Sequence, residues 1–420
     1  MAAFQIKDAY AVMNSLARQA TAQADIAVVD HQSFIDAGTQ TLATGTENVL
    51  NSIYRTIAQV VMQTRSYKGK FGLINASENQ FNTRKAKISV YSSDNEASGA
   101  FNTDLYTNIA NGQGDSDGAG SMWEQKLPKV LERFFLKEAV WDKHYTTPLA
   151  QLQNAFNDEA AFIAFMNGVM VEISNDVEST LEARNRALVT DRIAGTYLQA
   201  TSATPTLGAE CVVDLIKYFN DECGTTYTRD EILQEHLTEF MEIFVAKLKI
   251  DSDRLEERTA LYHNPYKITE NGVDYNILRF TPKANQKLML FSEFIAKSKT
   301  RVMPEIFNPE YLKLENYEGV SYWQSTKPGS RMSIKCKPAL PDGATSADVN
   351  LDYVVGILFD SEALQSINQF TGSYQTPVNA RHLYTNTWMH WKFGSISDYS
   401  ENTIIYILGE GGEANADDNT

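Results

Sequence analysis

The feature that most limits this chain is a helical run of unusual length. Phe162, Met166, Val169, Ile173, Val177, Leu181 and Leu188 recur along one stripe between Asn157 and Leu198. The opposite face is charged, with Glu178 and Glu182 ahead of Arg184 and Arg186. Asn157, followed by Asp158 and Glu159, is a candidate N-cap and allows a break there. At ~1.5 Å per residue, an unbroken helix over this span reaches about 60 Å. A compact domain does not need a helix of that length, even in a chain of 420 residues.

What precedes the helix is also extended. Residues 1–46 are polar and rich in small side chains, and read as a mostly extended arm with one or two helical turns. Within 47–65, Val49, Leu50, Ile53, Ile57, Val60 and Val61 follow three- and four-residue steps, a short amphipathic helix. Residues 66–127 change character. "TRKAKISVYSS" alternates, with Ala86, Ile88 and Val90 on one side and Lys85, Lys87 and Ser89 on the other, a strand with one solvated face. A long polar excursion follows it. Charge is segregated here. Arg65, Lys68, Lys70, Arg84, Lys85 and Lys87 sit at the base against Glu78, whereas Asp94, Glu96, Asp104, Asp115, Asp117 and Glu124 lie beyond.

After the "TSATPT" loop come a helix over Val212–Phe219 and another opening at Thr228, whose spacing to Glu231 is that of a capping box, and running to Ile250. From Pro265 the pattern is short strands and turns, with helical pieces expected near Leu288–Ala296 and Ser361–Gln365. "DYVVGILF", "TWMHWKFG" and "NTIIYIL" are the clearest strands. Residues 409–420 read as a mobile acidic tail.

Chemistry is hard to find. "NIANGQGDSDGAGSMW" (108–123) resembles a phosphate or calcium loop only in composition. No Lys-Ser/Thr pair follows its glycines, and the twelfth position from Asp115 is Lys126, which repels Ca²⁺. It reads as a flexible loop tip. The histidines (His31, His144, His236, His263, His382, His390) show no metal spacing, and Cys211 and Cys223 have no evident His partner. Asp251, Asp253, Glu256 and Glu257 read as a solvated helix end. No cofactor, metal or catalytic residue is expected.

Net charge is −16, from 37 basic and 53 acidic side chains, which argues against a sequence-reading DNA binder. Three cysteines without a CxxC argue against a disulfide framework. The start lacks a signal-peptide layout and no apolar run is long enough to span a membrane, so cytosolic synthesis is expected. An arm, a long loop and an over-long helix are hard to satisfy in one compact monomer. They make sense on other copies of the chain. The basic base and acidic tip then suggest head-to-tail charge matching through Arg84, Lys85, Lys87, Asp104, Asp115 and Asp117.

This order of parts resembles the major capsid proteins of tailed double-stranded-DNA phages, the Hong Kong 97 fold. "GVSYWQ" (319–324), "VVGILFDSEAL" (354–364) and "WKFGSISDYSENTIIYIL" (391–408) look like strand segments of podophage-type and gut-phage head proteins. The resemblance implies an α+β fold: arm 1–46, short helix 47–65, E-loop hairpin 66–127, peripheral domain 128–204 with the spine helix, a mainly axial domain 205–375, C-terminal strands 376–408 of the peripheral domain, and tail 409–420. It implies a structural protein that assembles as pentamers and hexamers into an icosahedral shell around DNA. It also implies scaffolding, portal and decoration partners, with assembly in the host cytoplasm. The Lys, Asn and Glu through which one relative cross-links its subunits cannot be mapped here. The rivals are a nanocompartment shell of the same fold, another virion part such as a tail or portal protein, and an enzyme with a pocket of convergent titratable groups.

Overall fold

The computed structural model describes residues 13–14, 17–18, 28, 31–43, 69–76, 85–91, 129–135, 138–150, 153, 159–265, 268–270, 273–275, 277–297, 317–341 and 346–411. The expected helix in 47–65, Arg84, the polar stretch with Asp104, Asp115 and Asp117, and most of the acidic tail lie outside them.

Helix α1 (His31–Ala43) occupies part of the expected extended arm. Its inward face is Phe34, Ala37 and Thr41, and the Thr41 hydroxyl donates to the Ala37 carbonyl at 2.6 Å. Small side chains and a hydroxyl satisfied one turn back make a packable face without a large apolar stripe. Strands β1 (Lys85–Tyr91) and β2 (Lys129–Phe135) pair antiparallel, and β3 (Glu138–Pro148) follows. Helix α2 (Glu159–Thr201) then runs unbroken for 43 residues, about 64 Å. Ile173 and Val177 of its stripe are buried, and from Leu188 to Thr196 most side chains are enclosed.

The expected helix at Val212 begins instead as strand β4 (Val212–Asp214), and helix α3 (Leu215–Cys223) starts after it. Asp214 makes that boundary. Its carboxylate accepts the Ile216 N–H at 3.0 Å as N-cap and the Gly409 N–H at 2.9 Å. Helix α4 (Arg229–Glu235) carries the capping box of Thr228 and Glu231, and α5 (Leu237–Arg254) continues it. Asp251 is buried, not solvated. Lys247 donates to it at 2.6 Å and the Tyr406 hydroxyl at 3.0 Å.

The small ribbon β5 (Ile268–Glu270) and β6 (Val273–Tyr275) leads to β7 (Gln286–Phe291), where a helical piece was expected. Helix α6 (Ser292–Lys297) occupies only the end of that stretch. A short apolar run fits either period, and the sheet decides it: Leu288 and Leu290 enter one core while Met289 enters the other. Strands β8 (Tyr317–Val320), β9 (Ile334–Cys336), β10 (Val349–Leu351) and β11 (Val354–Asp360) follow. The helical piece expected at Ser361–Gln365 is a turn feeding β12 (Leu364–Gln375), which pairs with β13 (Tyr384–Ser397). Strand β14 (Thr403–Ile407) closes the described fold.

Two larger sheets organise these elements. One has the order β4-β14-β11-β7-β8, the other β12-β13-β3. The five-stranded sheet is covered on both faces. Phe219, Phe240, Phe244 and Leu248 of α3 and α5 pack on one side, and Leu188, Val189 and Ile193 of α2 with Trp323 pack on the other. Strand β11 therefore reads as a continuous apolar run, Val354–Phe359, buried throughout. Gly356 is required within it, because an added Cβ would lie 2.6 Å from the Met289 carbonyl of β7.

Candidate assembly interface

The β1–β2 ribbon has two unlike faces. Ala86, Ile88 and Val90 lie opposite Phe134, Glu132 and Val130 on one of them. Among the described residues that face points away from the other elements: Ile88, Val90, Val130 and Phe134 are 62%, 63%, 60% and 59% exposed. The charged face of β1 turns inward instead, the reverse of the solvated polar side that alternation suggests.

The reason is a polar socket provided by the C-terminal segment. Lys87 Nζ donates to Asp398 Oδ2 at 2.9 Å and to Glu401, and lies 3.6 Å from Glu362. Lys85 Nζ donates to Gln365 Oε1 at 2.7 Å. Arg279 donates to Ser89 Oγ at 2.6 Å and pairs with Glu401 at 3.3 Å. Burial opposes the charge on Lys87, but the carboxylates of Asp398 and Glu401 outweigh it and leave its pKa raised. Burial likewise opposes ionisation of Asp398. Lys87 and the Ser400 N–H and hydroxyl prevail, and hold its pKa low. Glu401 is pushed up by burial despite Lys87 and Arg279, so it is the first of the pair to take a proton. Asp360 nearby is pushed up by burial too.

The same corner holds the spine. Arg192 of α2 is fully buried, stacks 4.0 Å from the Tyr399 ring centroid, and donates to Thr403 Oγ1 at 2.7 Å and to the Glu401 carbonyl at 3.2 Å. Residues 398–403 thus join the ribbon through Lys87, the long helix through Arg192 and the 279 loop through Arg279. Lys85 and Lys87 are brought together here with partners from their own chain. Asp398, Glu401 and Arg279 were not singled out from the sequence, because no local spacing marks partners about two to three hundred residues away.

A strap over 69–76 crosses the helix nearby. Glu318 accepts the N–H groups of Phe71 and Leu73, Lys287 donates to the Leu73 carbonyl at 2.5 Å, and Asn185 donates to the Phe71 carbonyl at 3.2 Å. On β3 and β13, Trp141 stacks on Trp391 at 4.6 Å and His144 on Trp388 at 4.7 Å, cross-strand pairs that set the register of the three-stranded sheet.

Among the described residues no three His, Cys, Asp or Glu side chains are placed to hold a metal ion. Burial pushes the Cys211 thiol to about 12, which makes it a poor nucleophile. No described helix is long and apolar enough to cross a membrane. An exposed apolar ribbon rooted in a rigid charged socket suits binding to a protein surface better than chemistry.

Residues 11–406 match the family model of the Phi29-like phage major capsid protein. The chain belongs to this family. The capsid of Staphylococcus phage Andhra is similar in structure, with a TM-score of 0.50 and 10% identity over 81% of this chain and 85% of that one. A structure titled for the head fiber and inner core protein gp22 of bacteriophage P68 gives 0.46 at 10% identity, over 82% and 86%. The capsid of cyanophage P-SCSP1u gives 0.40 at 12% identity, over 83% and 91%. No curated protein sequence matches the chain. The capsid protein has the Hong Kong 97-type α+β fold and is a structural, non-enzymatic component of a tailed-phage head shell. Copies of it assemble into that shell.

Proposed function

We propose that the capsid protein forms pentamers and hexamers of an icosahedral shell around double-stranded DNA, and that the outer face of the β1–β2 ribbon seats on a neighbouring copy. The observation that carries this reading is the row Ile88, Val90, Val130 and Phe134, each about 60% exposed on a two-stranded ribbon. Such a ribbon is not stable alone, and its polar side is already engaged. Residues 66–127 then act as the E-loop, with α2 as the spine of a peripheral domain over 128–204 and 376–408, and 205–375 as the main axial part. Head-to-tail charge matching falls to Arg84, Asp104, Asp115 and Asp117. Lys85 and Lys87 anchor the hairpin instead, since both already have partners in their own chain. The net charge of −16 suits a lining that does not grip packed DNA. A separate scaffold, a portal and decoration proteins are the expected partners, with assembly in the host cytoplasm.

The test is Ile88→Asp with Phe134→Asp. Both positions face outward, so thermal unfolding of the subunit should shift little while particles vanish from light scattering and electron micrographs. Normal particles from the double variant would end this reading.

A further inference from the structure

We propose that the outer face of the β1–β2 ribbon seats on the corner formed by Arg258, Leu278 and Phe280 of the next copy, with Glu132 of one chain paired to Arg258 of the other. This rests on the ribbon docking described above and names the surface that receives it. Copies that follow one another around a ring need two unlike patches on each chain, an insert and a receiver. The ribbon is the insert. Outside it, Leu278 and Phe280 are the one pair of exposed large apolar side chains two residues apart among the described residues, at 38% and 55% exposed.

The backbone makes a surface of that pair. Thr259 and Arg279 form an antiparallel bridge, each N–H donating to the other's carbonyl, at 3.1 and 3.2 Å. Ile277 and Thr281 are buried, and Arg279 turns inward to Ser89 Oγ. Leu278 and Phe280 alternate with these and point outward together. The bridge places Arg258 across from Phe280 and Ala260 across from Leu278. The chain's own ribbon is held on the Arg279 side, so it leaves this patch open.

Each patch carries a charge without a partner. On the ribbon, Glu132 stands between Val130 and Phe134 on the outward row and directly opposite Ile88. It is exposed, and its carboxylate makes no ion pair or hydrogen bond among the described residues. The Arg258 guanidinium is exposed and makes none either. Its neighbour Glu256 is already engaged, accepting the Lys283 N–H at 3.3 Å with the Lys283 ammonium 3.7 Å away. A carboxylate framed by apolar side chains thus meets a guanidinium beside apolar side chains. Closing an apolar rim over such a pair strengthens it relative to open water and fixes which way the ribbon lies.

A charge swap in the full chain tests this. Glu132→Arg and Arg258→Glu should each cut particle yield about tenfold, read by light scattering and electron microscopy, with little shift in thermal unfolding of the subunit. The two together should restore the yield. Glu132→Arg with Lys217→Glu, on the exposed side of α3, returns the net charge without a carboxylate at 258 and should not restore it. Glu132→Cys with Arg258→Cys needs no reversed charge and decides alone if a reversal unfolds the subunit. Its oxidised particles should give a ladder of linked chains beyond dimers on a non-reducing gel, and neither single variant should. No rescue in folded subunits, equal rescue by the Lys217 control, or no ladder would overturn the pairing. The two readings fail separately. Particles lost in Ile88→Asp with Phe134→Asp but not restored by the swap mean that the ribbon docks elsewhere, whereas normal particles from that variant remove ribbon docking itself.

Discussion

The Lys87 ammonium lies 2.9 Å from the Asp398 carboxylate and ties together segments 311 residues apart in the chain. The lysine side chain is 20% exposed and the aspartate 1%, so the pair sits at the rim of the core with its anion inside. Glu401, beside it, is 6% exposed.

Lys87→Met should therefore destabilise the subunit by about 3 kcal/mol, because it strands a buried carboxylate pair. That is the lower end of the usual range, since Arg279 remains beside Glu401. Urea unfolding measures it. The hairpin should also become a faster target for proteases, as its base loses its anchor. A loss below about 0.5 kcal/mol would mean the socket is solvated and does not hold the ribbon.

Gly195 of the spine faces Tyr399, and a Cβ added there would overlap the phenol hydroxyl. Gly195→Ala should cost about 1–3 kcal/mol through overpacking, despite the better helix propensity of alanine. Tyr399→Phe in the same chain should return part of the loss, since the added Cβ would still lie 2.9 Å from the ring carbon Cζ. Thermal unfolding of the two single variants and the double gives the coupling. Strict additivity would show that the helix moves away from the corner rather than pressing on it.

His263 is buried, with Nε2 2.7 Å from the Ile277 carbonyl and Nδ1 3.0 Å from the Asn402 side-chain amide. Burial pushes its pKa down, helped by Arg279 and opposed by the two hydrogen bonds and Asp398. The unfolded chain then binds a proton at higher pH than the folded one. Stability from this group is complete above the unfolded value of about 6.5 and falls as pH drops through the window below it, by at most about 1.4 kcal/mol per unit. His263→Gln should be less stable at pH 8 and lose less between pH 6.5 and 5. Parallel curves for the two chains in that window would remove His263 as the cause.

Several parts of the fold were legible because their signals are local. The stripe through Ile173 and Val177 marks the spine, the Thr228–Glu231 spacing marks a helix start, and the apolar runs at 354–359 and 403–407 mark core strands. Gln286–Phe291 was not legible as a strand, since six residues carry too few turns to separate a period of 2 from one of 3.6. Alternation at 85–90 disclosed two faces but not their directions. The direction depends on Asp398 and Glu401, and only the folded chain brings them to Lys87.

The sequence by itself determined the long helix, the charge asymmetry of the hairpin region and the lack of a catalytic motif, because each is written in neighbouring residues. The tertiary structure alone decided that lysines point in and Ile88, Val90, Val130 and Phe134 point out. Desolvating an ammonium is favourable only where buried carboxylates meet it, and that condition is set by distant parts of the chain coming together.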